Sequence, residues 1–224
     1  MDLQQKQTYA GEGEVAAYNA SFHKLMRMFT VSVLISFLGT VFGLYFVPPA
    51  LIIPLVVVEF IMLISAFFIQ RKGRAIGYGF VFTFCFISGI TIFPAIIAYA
   101  NIGGPKLIMQ AFILTVAIFT GLTLYGYYSK RDFSFLRGFL MVGILALIGV
   151  SLIQLFVGGF GGTLGLIISF AGIMIFSGFI LYDISQYRQG LEENMIPLAV
   201  LSLYLSFINL FLYLLRFLGI LQDD

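Results

Sequence analysis

Residues Pro197–Gly219 read PLAVLSLYLSFINLFLYLLRFLG, and this stretch decides the fold of the chain. A helix of this length crosses a bilayer, because it rises about 1.5 Å per residue against a hydrocarbon thickness of about 30 Å. Its polar side chains recur every three or four residues, which keeps them on one face of a helix. This polar face consists of Ser202, Ser206, Asn209, Tyr213 and Arg216. Lipid cannot hydrogen-bond these groups, so we expect the polar face to point toward protein or a water-filled path.

A plainer interpretation of the same face stays open. Serine and asparagine also hold neighbouring membrane helices together through hydrogen bonds. The long side chain of Arg216 can extend to the membrane surface from near the end of the helix. Five polar positions in one line nevertheless favour a path through the protein that this helix helps to form.

Composition places the rest of the chain in the membrane as well. Of 224 residues, 61% are hydrophobic and 10% are charged, against about 25% charged in a soluble domain. The net charge of +2 is small and the basic residues are spread over loops, so nucleic-acid binding is not expected. The single cysteine, Cys85, lies in an apolar run, so no internal disulfide is expected. Residues 1–24 lack an apolar core and a small-residue cleavage site, so no signal peptide is predicted there.

Seven apolar stretches of transmembrane length follow one another along the chain. They cover residues 26–46, 50–70, 76–99, 106–128, 136–157, 162–187 and 197–219. Proline, glycine or charged residues separate them, and every loop is short, so sequence neighbours should pack as antiparallel helices. The sequence predicts an all-α integral membrane protein with seven transmembrane helices in a bundle around a central C-terminal helix. Residues 1–24 are predicted to form a mobile or interfacial cytoplasmic tail, and residues 25–224 the transmembrane domain.

Small residues within the spans mark places where helices can approach closely. The candidates are Gly121, Gly143, Gly149, Gly165, Ser169 and Gly178.

Loop charge predicts the orientation. All lysines and arginines except Lys106 and Arg216 fall on one side of the predicted topology. Cytoplasmic loops carry the excess of basic residues, so the N-terminus is expected in the cytoplasm and the C-terminus outside. Compact loops favour a multi-pass protein of the plasma membrane, although an organelle membrane would demand nothing different.

Apart from tyrosine, cysteine and residues at the span ends, three ionisable groups lie clearly within the predicted spans: Glu59, Asp183 and Arg216. A charge at the centre of a membrane helix costs about 2.5–3.5 kcal/mol by the lower estimates, so each group needs a partner, a cavity or a proton. Glu59 and Arg216 differ in predicted depth by about 9 Å. Helix tilt and the arginine side chain can close that gap. We therefore predict a structural ion pair between them, tying the second span to the seventh.

Asp183 lies about one turn from the inner end of the sixth span. One interpretation is an interfacial aspartate in cytoplasmic water. The other is a carboxylate at the inner mouth of the polar face, made proton-sensitive near physiological pH by partial desolvation. It would then act as a gate or a weak calcium ligand. Calcium takes about 6–8 oxygens, so Ser206, Asn209, backbone carbonyls or water would complete the site.

Three segments resemble the Bax inhibitor family of membrane proteins. They are GYGFVFTFCFISGITIFP (77–94), ILYDISQ (180–186) and MIPLAVLSLYLSFINLFLYLLRFLGI (195–220), and the last is the most specific. The resemblance covers essentially the whole chain apart from the tail. It implies a seven-helix bundle around the last helix and a pH-sensitive calcium leak across the membrane. It also implies a pair of aspartates on the sixth and seventh helices as the sensor of pH and calcium.

Carried over residue by residue, this sensor is altered here. Asp183 matches the first aspartate, whereas Ser206 stands where the family has the second. The basic latch residue of the second helix corresponds to Gln70, with Arg71 beside it. Two carboxylates that share a proton titrate as a coupled pair, and an aspartate facing a serine does not. The resemblance therefore implies weakened calcium binding and blunted or shifted pH gating.

Glu192 and Glu193 in the adjoining loop offer a replacement carboxylate, or form part of a solvated loop. Both interpretations stay open at this point.

We thus expect a pH-sensitive calcium leak channel, with Asp183, Ser202, Ser206 and Asn209 as gating and pore residues. Calcium would be the transported ion, and no cofactor is expected. The expected partners are the lipid bilayer and calcium, and the sequence names no protein partner. A secondary transporter and a stress regulator acting through membrane partners remain alternatives. An enzyme is not expected, because His23 is the only histidine and supplies neither a HExxH motif nor a Ser–His pair within the spans.

Overall fold

The structure is a computed structural model that describes residues 3–129, 131–157 and 161–223. Its main elements are α1 (Leu3–Phe46), α2 (Ile52–Arg71), α3 (Tyr78–Tyr128), α4 (Leu136–Val157), α5 (Gly162–Tyr187) and α6 (Ile196–Asp223). Single 3₁₀ turns precede α2 and α6. Six helices in the described part of the chain are long and apolar enough to cross a membrane. The prediction of an all-α integral membrane protein is confirmed.

The longest element, α3, contains a break. Gly104 has φ 69° and ψ −175°, a backbone conformation outside the helical range, and Pro105 follows it. A straight helix of 51 residues would extend about 76 Å, more than twice the hydrocarbon thickness. The break coincides with the turn predicted between the third and fourth spans. Both of these spans lie within α3, and the count of seven crossings stays a prediction.

The N-terminal segment predicted as a mobile or interfacial tail is helical. Helix α1 begins at Leu3 and continues without interruption through the first predicted span. No proline occurs between residues 3 and 46, and alanine and glutamate, which favour helices, recur ahead of the apolar part. Helix formation therefore extends back from the span into the polar segment. The boundary at residues 24 and 25 between tail and transmembrane domain stays a prediction.

The chain divides into two compact units. Unit 1 comprises Met1–Thr91 and Gln186–Tyr204, and unit 2 comprises Ile92–Ser185 and Leu205–Asp224. Helix α6 contributes to both units and is the most buried candidate span, with 61% of its apolar window buried against 6% for α2. No residue from position 196 to position 220 is exposed. This enclosure agrees with the prediction that the last helix is the inner one.

Within unit 1, the backbones of α1 and α3 touch at two glycines. A methyl group added to Gly89 would overlap the carbonyl oxygen of Ser36 and stand 2.9 Å from the backbone nitrogen of Thr40. One added to Gly39 would overlap the carbonyl oxygen of Phe86. The Thr40 hydroxyl donates to the carbonyl of Gly89 at 3.0 Å. Only glycine allows helices to pack at this distance, and a hydroxyl bond closes the contact.

Within unit 2, the predicted small-residue contacts are confirmed in part. Gly143 and Gly178 pack directly against side chains across the α4–α5 contact. The prediction is wrong for Gly121 and Gly149, where no heavy atom of the described neighbouring residues lies within 4 Å of an added methyl group.

Candidate functional site

The polar face of α6 is enclosed rather than turned to the acyl chains. Ser206 is 4% exposed, and the other four members are half-buried. The side-chain amide of Asn209 donates to the carbonyl of Leu205 in the same helix at 2.8 Å. Its amide oxygen and its second N–H are therefore left for interactions away from the helix.

Asp183 is also buried, at 5% exposed, on α5. It belongs to unit 2, as does Ser206. An interfacial aspartate in cytoplasmic water would be exposed, so this burial favours the interpretation as a desolvated carboxylate. Its roles as a gate and a calcium ligand stay predictions.

The donor set limits any metal site. Among residues 3–129, 131–157 and 161–223, no three or more His, Cys, Asp or Glu side chains group together in a way that could hold a metal ion. Calcium would have to complete its shell of about 6–8 oxygens with hydroxyls, backbone carbonyls and water. A site with one carboxylate and otherwise neutral oxygen ligands would bind calcium weakly.

Glu59 lies in a cluster of hydroxyl groups within unit 1. Its carboxylate accepts a hydrogen bond of 2.6 Å from the hydroxyl of Thr91, which also donates to the carbonyl of Ser88 at 3.0 Å. The hydroxyl of Tyr204 lies 2.8 Å from that of Ser36, and the Ser88 side chain lies near enough to interact electrostatically with both Glu59 and Tyr204. We call these five residues the Glu59 cluster. Together they join α1, α2, α3 and α6.

The hydroxyl groups of the Glu59 cluster can stabilise its carboxyl group in apolar surroundings. Ser36, Ser88 and Tyr204 are at most 5% exposed, so each needs a protein partner for its hydroxyl. Hydroxyl groups both donate and accept, and can therefore satisfy a carboxyl group in either protonation state. In a low dielectric such connected hydrogen bonds strengthen one another.

Sequence reasoning missed four members of this cluster. Hydroxyl residues at positions 32, 36 and 40 follow a four-residue spacing in the first span, which marks one helix face. That spacing was the available signal for Ser36. Tyr204 carried no signal, because it lies off the polar face of its own helix.

Arg216, on α6 in unit 2, donates from Nη1 to the side-chain oxygen of Gln154 on α4 at 3.3 Å. Glu59 has its own hydrogen-bond partners in unit 1. The ion pair predicted between Glu59 and Arg216 would join the two units, and it stays a prediction.

The remaining candidates lie at the ends of helices. Gln70 and Arg71 are exposed at the end of α2, and their role as a latch stays a prediction. Glu193 is 82% exposed and pairs with Lys24 at 2.9 Å. Glu192 is exposed too. This favours the interpretation of the loop before α6 as solvated.

Replacing Tyr204 with phenylalanine is expected to destabilise the protein by about 1–3 kcal/mol, because the buried hydroxyl of Ser36 loses its partner. Thermal denaturation in detergent should show this as a midpoint lower by about 2–4 °C per kcal/mol. Tyr45→Phe is the control, since that side chain is 73% exposed and its loss of a hydroxyl should leave the midpoint unchanged. Equal midpoints for both variants would contradict the cluster.

Comparison with known proteins identifies the family. Residues 19–223 match the family model described as inhibitor of apoptosis-promoting Bax1. A membrane protein of Vibrio cholerae is 41% identical over 70% of this chain and 71% of its own length. Protein lifeguard 4 of Mus musculus is 30% identical over 89% of this chain and 84% of its own length. Bax inhibitor 1 of Schizosaccharomyces pombe is 34% identical over 74% of this chain and 61% of its own length. This multi-pass membrane protein therefore belongs to the Bax inhibitor family.

Proposed function

We propose that the protein is a pH-sensitive calcium leak channel. The observation that carries this proposal is the enclosed polar face of α6, where none of five polar side chains is exposed in an otherwise apolar helix. Enclosed polar groups in a membrane helix mark paths for ions more often than lipid-facing ones do. Membership of the Bax inhibitor family supports the same function.

In this proposal Asp183 is the proton-sensitive group at the inner end of the path. Ser202, Ser206 and Asn209 line the path and supply oxygen atoms to a passing ion. The burial of Asp183 and Ser206 within one unit supports this assignment. A single carboxylate attracts calcium in its ionised form and loses that attraction when it is protonated, so proton binding and calcium passage are coupled.

The orientation follows from the charge distribution. We propose a plasma-membrane protein with a cytoplasmic N-terminus and an external C-terminus, as the excess of loop lysines and arginines requires. Asp183 then faces the cytoplasmic end of the path and responds to cytoplasmic pH.

Calcium flux from proteoliposomes across a pH series tests the proposal. Wild-type protein should release calcium down its gradient with a rate that depends on pH. Asp183→Asn keeps the shape of the side chain but cannot ionise, so its flux should lose the pH dependence. A matched control is Asp132→Asn, in the loop after α3, which removes an exposed carboxylate and should leave the profile as in wild type.

Two outcomes would contradict the channel. One is an identical pH profile for wild type and Asp183→Asn. The other is uptake of calcium against its gradient driven by a second ion, which would indicate a secondary transporter.

A further inference from the structure

A groove lies along one side of α2, within unit 1. Its volume is about 430 Å³, and its lining includes Ile61, Ile64, Ser65, Phe68, Lys72 and Arg74. Apart from Arg74, these residues are spaced one, three or four positions apart along the chain, so they share one face of the helix. The groove is apolar along its length and carries two cations at one end.

The turn after α2 places the second cation. Gly73 adopts φ 69°, and its N–H donates to the carbonyl of Gln70 at 2.9 Å. The N–H of Arg74 donates to the carbonyl of Ile69 at 3.1 Å, which draws the chain back against the last turn of the helix. This glycine-dependent ending of the helix sets Arg74 beside Lys72 at the mouth of the groove.

The groove faces the membrane rather than the protein core. Only 6% of the apolar window of α2 is buried, and Ile61, Ile64 and Phe68 are each more than half exposed. Lys72 and Arg74 are exposed at the end of the membrane-crossing helix, where lipid headgroups lie. The lining contains no acidic residue, so its charge is complementary to an anion.

We propose that this groove binds an anionic phospholipid. The phosphate lies between Lys72 and Arg74, and one acyl chain lies along Ile61, Ile64 and Phe68. The basic pair is complementary to the phosphate of such a lipid, and the apolar groove beside it is complementary to an acyl chain. Electrostatic attraction to an anionic membrane surface is worth about fivefold in affinity for each lysine or arginine near it. The two cations together should therefore give a preference well above tenfold over a zwitterionic lipid.

The plainer interpretation is that these cations only interact with the carbonyl end of α2 and follow the loop charge bias. In that case they attract anions no better than other basic loops do. A pair of basic residues elsewhere in the chain therefore provides the decisive comparison.

Native mass spectrometry of the full-length protein in detergent tests the site. It compares the retention of palmitoyl-oleoyl phosphatidylglycerol with that of phosphatidylcholine carrying the same two acyl groups. Wild type should retain the phosphatidylglycerol at least about tenfold better. The double variant Lys72→Gln, Arg74→Gln should lose that preference. The control Arg131→Gln, Arg137→Gln removes the same charge from the loop before α4 and the first turn of α4, and should keep that preference. Equal loss in both variants, or no lipid preference in wild type, would overturn the proposal.

A second variant tests the apolar part and does not depend on the charged pair. Ser65 is half-buried in the groove, and its hydroxyl donates to the carbonyl of Met62 in the same helix at 2.7 Å. Ser65→Phe should fill the groove and reduce phosphatidylglycerol retention, while both cations remain. Retention equal to wild type in a folded Ser65→Phe protein would show that no acyl chain occupies the groove, and would also overturn the proposal.

Discussion

Replacing Gly89 with alanine is expected to lower the thermal denaturation midpoint of the protein in detergent by about 10 °C. The added methyl group would overlap the carbonyl oxygen of Ser36 and approach its carbonyl carbon to 2.8 Å. Excess volume in a packed site costs about 1–3 kcal/mol. We expect a cost near the upper end of this range, because the neighbouring atoms belong to a helix backbone and cannot move aside as a side chain can. For a protein of this size each kcal/mol corresponds to about 2–4 °C.

The effect should extend to the Glu59 cluster. Ser36 and Ser88 adjoin this contact, and the hydroxyl of Ser36 lies 2.8 Å from that of Tyr204. Moving α1 away from α3 would lengthen this bond and leave buried hydroxyl groups unpaired. The loss of packing and the loss of hydrogen bonds therefore add in the same variant.

Gly79→Ala is the matched control. It lies in the same helix and the same unit, but no atom lies within 4 Å of an added methyl group in the described neighbourhood. Alanine favours a helix over glycine by up to about 1 kcal/mol, so the midpoint should stay the same or rise. A wild-type midpoint for Gly89→Ala would show that α1 and α3 are further apart than described.

These glycines show what the sequence could predict and what it could not. Breaks between helices depend on local chemistry. Gly73, Gly104 and Gly190 all fall between predicted spans, and each adopts a positive φ that favours glycine. Contacts between helices depend on which faces meet. Gly89 and Gly121 look alike in sequence, yet one touches a backbone and the other touches nothing within 4 Å among the described residues.

The same limit applies to the polar groups. Counting residues from a helix end gives the depth of Glu59 but not the direction in which its side chain points. Depth alone suggested Arg216 as its partner, and that pairing stays a prediction. The hydrogen bond that Thr91 donates to Glu59 depends on helix rotation and had no signal in the sequence. Helix rotation is set by the packing of many apolar side chains at once, and no single motif encodes it. The enclosure of α6 was predictable, because a polar face in an apolar helix has only one favourable environment.

Replacing Ser206 with aspartate is expected to steepen the pH dependence of calcium flux. Ser206 and Asp183 are 4% and 5% exposed in the same unit, so the variant adds a second buried carboxyl group. Two carboxyl groups that share a proton release it at a higher pH than an isolated one, because both cannot ionise freely in a low dielectric. Flux should then change more strongly with pH in this variant than in wild type over the same pH series, as the shared proton leaves. Fluorescent calcium indicators outside loaded proteoliposomes measure this directly.

Ser206→Asn separates the charge from the size of the new side chain. Asparagine has nearly the same volume as aspartate and cannot ionise, so its flux should keep the wild-type pH profile. The aspartate variant should also be the less stable of the two, since burying a carboxylate costs more than burying an amide. Flux is therefore compared only for protein that elutes as a single species. An unchanged profile for Ser206→Asp, or the same steepening for Ser206→Asn, would show that Asp183 does not share a proton with position 206.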